Sequence, residues 1–352
     1  MTWALLLALC LPAAAQTPKT AVEKALARAE KLVAAQKGKD AREIRDLDRQ
    51  AESLSKDLRP LGRHAAASLG EAAQELKRPV KVRLLAASFL ALIRDPAAFA
   101  PLEDILLNKD QAPVVRALAA QSLPGQGAPD AAVSKALCAA LDEEDLPREV
   151  LSDIMITLPR LGCPDSAGLV RVARSFGPRP EGMDLILSSA ALTALGRMRG
   201  TSSGKDLLSL ISHYPPLGEP RAAAIKALDA RRAELSVWLK PETLPVVLSA
   251  LRGESERWDT MLPLIRLAVA LGPETGPALS RLAKHPDAEV LAAAAEAMVL
   301  FKRVEAITAL ESVVAGAMSD PRFSPKEGRP DPATLLARIE KSVAELRRAR
   351  RP

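Results

Sequence analysis

The stretch Pro79–Leu90 holds the core Val82-Arg83-Leu84-Leu85-Ala86-Ala87, and Ala112–Leu123 holds Val115-Arg116-Ala117-Leu118-Ala119-Ala120, which places the two arginines 33 residues apart. A unit that recurs at such a period constrains the fold more than any other feature of this chain. Each copy is one supersecondary element that cannot bury its apolar surface alone, so neighbours must cover one another. In the first copy, Val82, Leu85, Ala86, Phe89, Leu90 and Ile93 fall at helical spacing and form one apolar face. Asp95-Pro96 then has the chemistry to open a partner helix bearing Phe99, Leu102, Ile105 and Leu106. Looser copies of the first helix follow at 147–162, 185–196, 219–228, 258–272 and 286–300. Each has a second apolar-periodic segment after it, as at 165–176, 273–284 and 304–317. About seven helix pairs therefore span 79–318. Composition agrees: aromatic residues make up only 3%, with a single Tyr, and small side chains plus Leu suit helices that approach closely.

The flanks read differently. Residues 1–15 hold an apolar run, Ala4 to Leu11, followed by Pro12-Ala13-Ala14-Ala15, the pattern of a secretory signal peptide cleaved after Ala15. Cys10 follows Leu9 rather than a small residue, which argues against a lipid anchor. Export to a periplasm or extracellular space is expected, with no later segment apolar enough to span a bilayer. An oxidising compartment permits Cys138 and Cys163 to bridge, yet buried small thiols in helices are the commoner arrangement and the one expected here. Residues 16–78 predict a charged cap. Its first helix opens at Thr17-Pro18 and stops at Gly38, a second starts with the Asp40/Glu43 capping box, and a third runs from Leu61 to Lys77. A Pro-rich linker is expected at 319–332 and a basic helix at 333–352, opened by Asp331-Pro332. Gly177–Gly182 and 231–245 interrupt the period as insertions.

The segments at 82–87 and 115–120, together with His285-Pro-Asp-Ala-Glu-Val-Leu-Ala-Ala-Ala-Ala-Glu-Ala-Met298, resemble HEAT repeats, particularly the short bacterial variety. The resemblance covers about two-thirds of the chain. It implies an all-α fold, a right-handed α-solenoid of stacked antiparallel helix pairs of HEAT/armadillo type. It also implies a ladder between neighbouring repeats, made by an Asp and an Arg six residues apart. Asp110 and Arg116 fit that pattern, whereas Lys77 stands before Arg83 and Leu291 replaces the arginine in the last copy. HEAT proteins are typically scaffolds that bind macromolecules along a curved face. A few, including bilin lyases and an alkylpurine DNA glycosylase family, are enzymes.

Chemistry is hard to find in the sequence. None of the three histidines, His64, His213 and His285, has a second ligand at zinc spacing. His64 has Ser68 four residues on, without an orienting acid or oxyanion donors. Gly200 and Ser202-Ser203-Gly204-Lys205 follow a helix rather than a strand, so they form a turn and not a phosphate loop. Glu143-Glu144 reads as a solvated helix end. No catalytic residue, cofactor site or metal site is assigned, and the chain is expected not to be an enzyme.

Charge argues against nucleic acid. Residues 16–78 carry 14 basic and 10 acidic side chains and residues 320–352 carry 9 and 5, so the net charge of +6 gathers at the ends. The expected function is an exported, non-enzymatic scaffold for a protein or peptide partner. Trp238, Trp258 and Tyr214 are the candidate contacts, since aromatic residues anchor interfaces. Arg347, Arg348, Arg350 and Arg351 could meet an acidic partner or an anionic membrane surface, or simply complement the helix dipole. N-terminal sequencing of the exported protein is expected to start at Gln16; a retained Met1 overturns the cleaved leader.

Overall fold

The computed structural model describes residues 17–36, 46, 49–50, 53–252, 258–325 and 327–350. The leader at 1–15, Gly38 and the Asp40/Glu43 capping box lie outside the described residues. Thr17 opens α1 (Pro18–Ala34) in the manner its hydroxyl allows, accepting the Thr20 N–H at 3.3 Å with Pro18 at the first helical position. Among the described residues every regular element is a helix, and there is no strand. None of those helices is long and apolar enough to cross a membrane.

The chain divides into two compact units, Met1–Thr157 and Leu158–Pro352. After α1, the first unit holds α2 (Ser55–Leu58) and α3 (Ala66–Gln74), then α4 (Val80–Ala91), α5 (Phe99–Leu107), α6 (Pro113–Ser122) and α7 (Asp130–Ala140). The unit boundary falls inside α8 (Arg148–Leu161). The third helix expected over 61–77 is shorter than its pattern suggested. A 3-10 segment, Arg59–Ala65, comes first, and Gly62 at φ 49° breaks the helical backbone there. On α4, Val82, Ala86, Phe89 and Leu90 are buried while Leu85 is half-buried, so the apolar face is the one its period indicated. Asp95 caps the next helical segment, accepting the Ala97 N–H at 2.9 Å. First helix packs on first helix (α4 on α6) and second on second (α5 on α7), with α3 covering α4 and α5.

The second unit continues with α9 (Ala167–Ser175), α10 (Gly182–Arg197), α11 (Thr201–His213) and α12 (Glu219–Ala230). Then come a short inserted helix, α13 (Arg232–Trp238), and α14 (Lys240–Arg252). It closes with α15 (Trp258–Leu271), α16 (Gly276–Arg281), α17 (Ala288–Leu300), α18 (Ile307–Gly316) and α19 (Pro332–Arg350). Here α10 packs on α12, α12 on α15 and α15 on α17, while α9 packs on α11, α11 on α14 and α14 on α16. α19 lies against both α17 and α18, burying Leu335, Ile339, Val343 and Leu346. The stretch expected to be a linker is tied down. Arg322 holds both carboxylate oxygens of Asp320 and the His285 carbonyl at 3.1 Å, and Arg329 reaches Asp287 at 3.1 Å and Glu289 at 3.0 Å.

Cys138 and Cys163 are both disulfide-bonded, which corrects the expectation of free buried thiols.

Close approach of successive first helices depends on small residues. A Cβ built on Gly196 of α10 would sit 2.8 Å from the Ala227 Cβ and 3.0 Å from its Cα on α12. Backbone atoms cannot swing aside as a side-chain end can. Gly196→Ala is therefore expected to lower stability: overpacking costs typically about 1–3 kcal/mol, against the roughly 1 kcal/mol that Ala gains over Gly in a helix. Gly316→Ala, whose Cβ meets nothing within 4 Å, is the control. Thermal melts should show the first variant melting below the parent and the second not.

Candidate functional site

The corner between α12 and α13 is built from one buried guanidinium. Arg231 donates to the Ser203 hydroxyl at 2.8 Å, to the Gly200 carbonyl at 2.5 Å and to Glu234 at 3.2 and 3.1 Å. Glu234 in turn accepts the Gly200 N–H at 2.8 Å. Burial alone would raise the Glu234 carboxyl, but the hydrogen bonds from Arg231 and Gly200 and the nearby arginine charges hold it below the usual carboxylate range. Leu235 and Leu239 then pack down on Gly204, where a Cβ would meet the Leu239 Cδ1 at 2.5 Å. With its inner face fixed in this way, α13 presents Val237 and Trp238 outward, 72% and 63% exposed. A side chain as large as Trp usually lies mostly buried. Two adjacent apolar residues this exposed on a short, firmly anchored helix make the most distinctive surface feature of the second unit.

Around it, consecutive first helices leave two grooves. One of about 720 Å³ lies between α10 and α12, walled by Thr193, Arg197, Arg199 and Glu219. The other, about 570 Å³, lies between α15 and α17, with Leu262, Ile265, Val269 and Leu300 along it. Ion pairs join neighbouring helices beside these grooves: Lys226–Asp259 at 2.8 Å and Arg266–Asp229 at 2.6 Å link α12 to α15, and Arg338–Glu296 at 2.7 Å links α19 to α17. The exposed Arg338–Glu296 pair contributes roughly 0–1 kcal/mol, whereas Asp229 is buried and accepts two hydrogen bonds from Arg266. A third groove, about 850 Å³, is formed by the ends of α14 and α16 and the turn into α17, with Arg252, Arg281, Lys284 and His285 on its walls.

The other expected contacts fare differently. Tyr214 is not a surface contact. It is 1% exposed, its hydroxyl donates to the Ala173 carbonyl, and burial pushes its phenol up to about 12. The side chain of Trp258 lies outside the described residues, as does Arg351. Arg347, Arg348 and Arg350 are all exposed, and Arg347 pairs across to Glu311 on α18 at 2.7 Å.

The expected ladder is corrected too. Asp110 is exposed in its turn and does not meet Arg116. Arg116, 1% exposed, donates instead to the Leu106 carbonyl at 2.8 Å and to Glu143 at 2.6 Å. Glu143 is consequently drawn inward rather than solvated. Arg83 donates to Gln111, the neighbour of Asp110, and to the Arg78 carbonyl at 3.2 Å.

His64 is exposed, and His213 stands edge-on to the Tyr214 ring with centroids 5.1 Å apart. Among the described residues no three His, Cys, Asp or Glu side chains form a group that could hold a metal ion. The grooves themselves were missed in the sequence, because they arise from the register between helices some 30–40 residues apart.

No protein-family model matches this chain, and no curated protein matches it. Among solved structures it is similar to human deoxyhypusine hydroxylase in complex with glycerol, at 16% identity and a TM-score of 0.30, covering 80% of this chain and 97% of that one. It is also similar to a computationally designed self-assembling cyclic homo-oligomer, at 14% identity and a TM-score of 0.13, covering 94% of this chain and 95% of that one. Likenesses at these scores carry no argument about fold or chemistry. One expectation is nevertheless corrected. The first of these neighbours is an enzyme, so the lack of a legible motif does not make this chain a non-enzyme.

His285 has a measurable consequence. Its Nδ1 accepts the Asp287 N–H at 3.0 Å, and burial chiefly holds the ring below its ordinary value of 6.5, against the opposing pull of Asp287. A depressed histidine favours the neutral form in the folded chain. The stability it confers is thus complete above pH 6.5 and lost as pH falls through the folded value. Urea midpoints should decline between pH 7 and pH 5 for the parent and decline less for His285→Asn.

Proposed function

We propose that this chain is an exported α-solenoid of HEAT type that holds a polypeptide partner on its helical surface. The observation that carries the reading is Trp238, displayed with Val237 on a helix inserted into the period and fixed at its base by Arg231 and Glu234. Interfaces draw most of their affinity from a few such anchors, and a rigid mounting limits the entropy lost on binding. Insertions into helical arrays commonly shape the binding face.

The solenoid reading is supported within each unit by the way first helices pack on first helices and second on second, as stacked repeats require. Export is supported by the Ala-x-Ala leader and by the disulfide bonding of Cys138 and Cys163, which belongs in an oxidising compartment. The even balance of charge through the middle of the chain favours a polypeptide partner over nucleic acid.

The test is capture from envelope extract with the immobilised chain, quantified for the parent and for Trp238→Ala. Loss of an anchor of this kind costs about 2 kcal/mol, or roughly 30-fold in affinity. The captured partner should fall accordingly while the melting temperature holds. Undiminished capture removes Trp238, and with it the main support for the reading.

A further inference from the structure

The groove at the ends of α14 and α16 differs from the other two in its charge. The other two grooves each set two carboxylates against three cations, Glu219 and Asp259 against Arg197, Arg199 and Lys226 in one, Glu289 and Glu296 against Arg232, Arg266 and Arg338 in the other. Arg252, Arg281 and Lys284, which line the groove of about 850 Å³, pair with no carboxylate among the described residues. The carboxylate on its wall, Glu305, is already engaged by Arg303 and the Ser280 hydroxyl.

Part of this positive charge has a local explanation. Arg252 ends α14, and Arg281 and Lys284 lie at the end of the segment formed by α16 and its 3-10 extension, Leu282–Lys284. Cations suit helix C-termini, each of which carries about half a negative charge. Two such ends offset roughly one of three positive charges, leaving about +2 on the described residues Arg252, Arg281 and Lys284.

The shape and floor narrow the occupant further. Leu251, Met261, Leu282 and Ala306 are buried beneath the groove, so the floor is apolar and the rim cationic. The volume falls in the range of pockets that enclose a short peptide or a small ligand. His285 adds a directed donor. Because its Nδ1 accepts the Asp287 N–H, the neutral ring carries its proton on Nε2. Among the described residues no Phe, Tyr or Trp lines the groove to stack a base, and its cations are confined to one cleft instead of tracking a backbone.

We infer that this cleft binds an acidic peptide segment, with carboxylates on Arg252, Arg281, Lys284 and the His285 Nε2–H and an apolar side chain seated on the floor. The inference rests on the proposed polypeptide-binding function and names a partner chemistry for a surface other than Trp238.

Fluorescence anisotropy with the full chain and a fluorescein-labelled Glu-Glu-Leu-Glu-Glu-Leu peptide tests it. Saturable binding that weakens at high salt is expected. Arg281→Gln combined with Lys284→Gln should weaken it by at least about 10-fold, since charge-assisted contacts are lost. Lys226→Gln, on the first-helix face, should leave it within about 2-fold, with circular dichroism melts confirming that each variant is folded. Equal binding by the double variant overturns the inference, as does equal binding of a Lys-Lys-Leu-Lys-Lys-Leu peptide. Tighter binding of a single-stranded oligonucleotide through the same residues would reassign the cleft to nucleic acid. Should the peptide fail to bind while capture still depends on Trp238, the cleft falls and the proposed function stands. The reverse outcome separates them the other way.

Discussion

Everything in each unit depends on how near one first helix can come to the next. The seam between them is made of Ala and Gly with Leu filling behind: Ala191 and Ala194 on α10, Ala224 and Ala227 on α12, Ala268 on α15 and Ala292, Ala294 and Ala295 on α17 are all buried. Small residues let backbones approach until a single added methyl has nowhere to go, as at Gly196. That explains why so few aromatic residues suffice. The interior is thin, and long side chains would hold the helices apart rather than join them.

A second device recurs on this seam. Arg83, Arg116 and Arg221 each stand in the first turn of a first helix and reach back to a carbonyl of the preceding segment: Arg78, Leu106 and Ile211, at 3.2, 2.8 and 2.5 Å. Each guanidinium satisfies a carbonyl that the helix end or turn leaves open, and at Leu106 and Ile211 it also sits at the C-terminal end of the preceding helix, where that helix's dipole favours a cation. In the last copy Leu291 replaces the arginine, and Arg322 supplies the guanidinium from elsewhere, bonding the His285 carbonyl.

How much of this was legible in the sequence follows from distance along the chain. Helix phases and caps are local, so the face of α4 and the caps at Thr17, Asp95 and Asp331 could be read directly. Arg116 and its position were also legible, but its partner was not: Glu143 lies 27 residues away and is reached only once the next helix has taken its register. Tyr214 and Trp238 looked alike, each an aromatic beside a turn. What separates them is a carbonyl 41 residues upstream of Tyr214 that draws its hydroxyl inward, while Trp238 has its helix pinned from the other side. The cationic cleft is less legible still, because three helix ends from separate stretches of sequence make it.

The segment after α18 carries an implication for movement. Arg322 and Arg329 bind it to the residues that open α17, and α19 then lies along α17 and α18. A tether of this composition would swing if it were free. Clamped at both arginines, it behaves as a handle: a load applied to the last helix is delivered to the start of α17, beside His285 and the cleft, instead of being absorbed by slack chain.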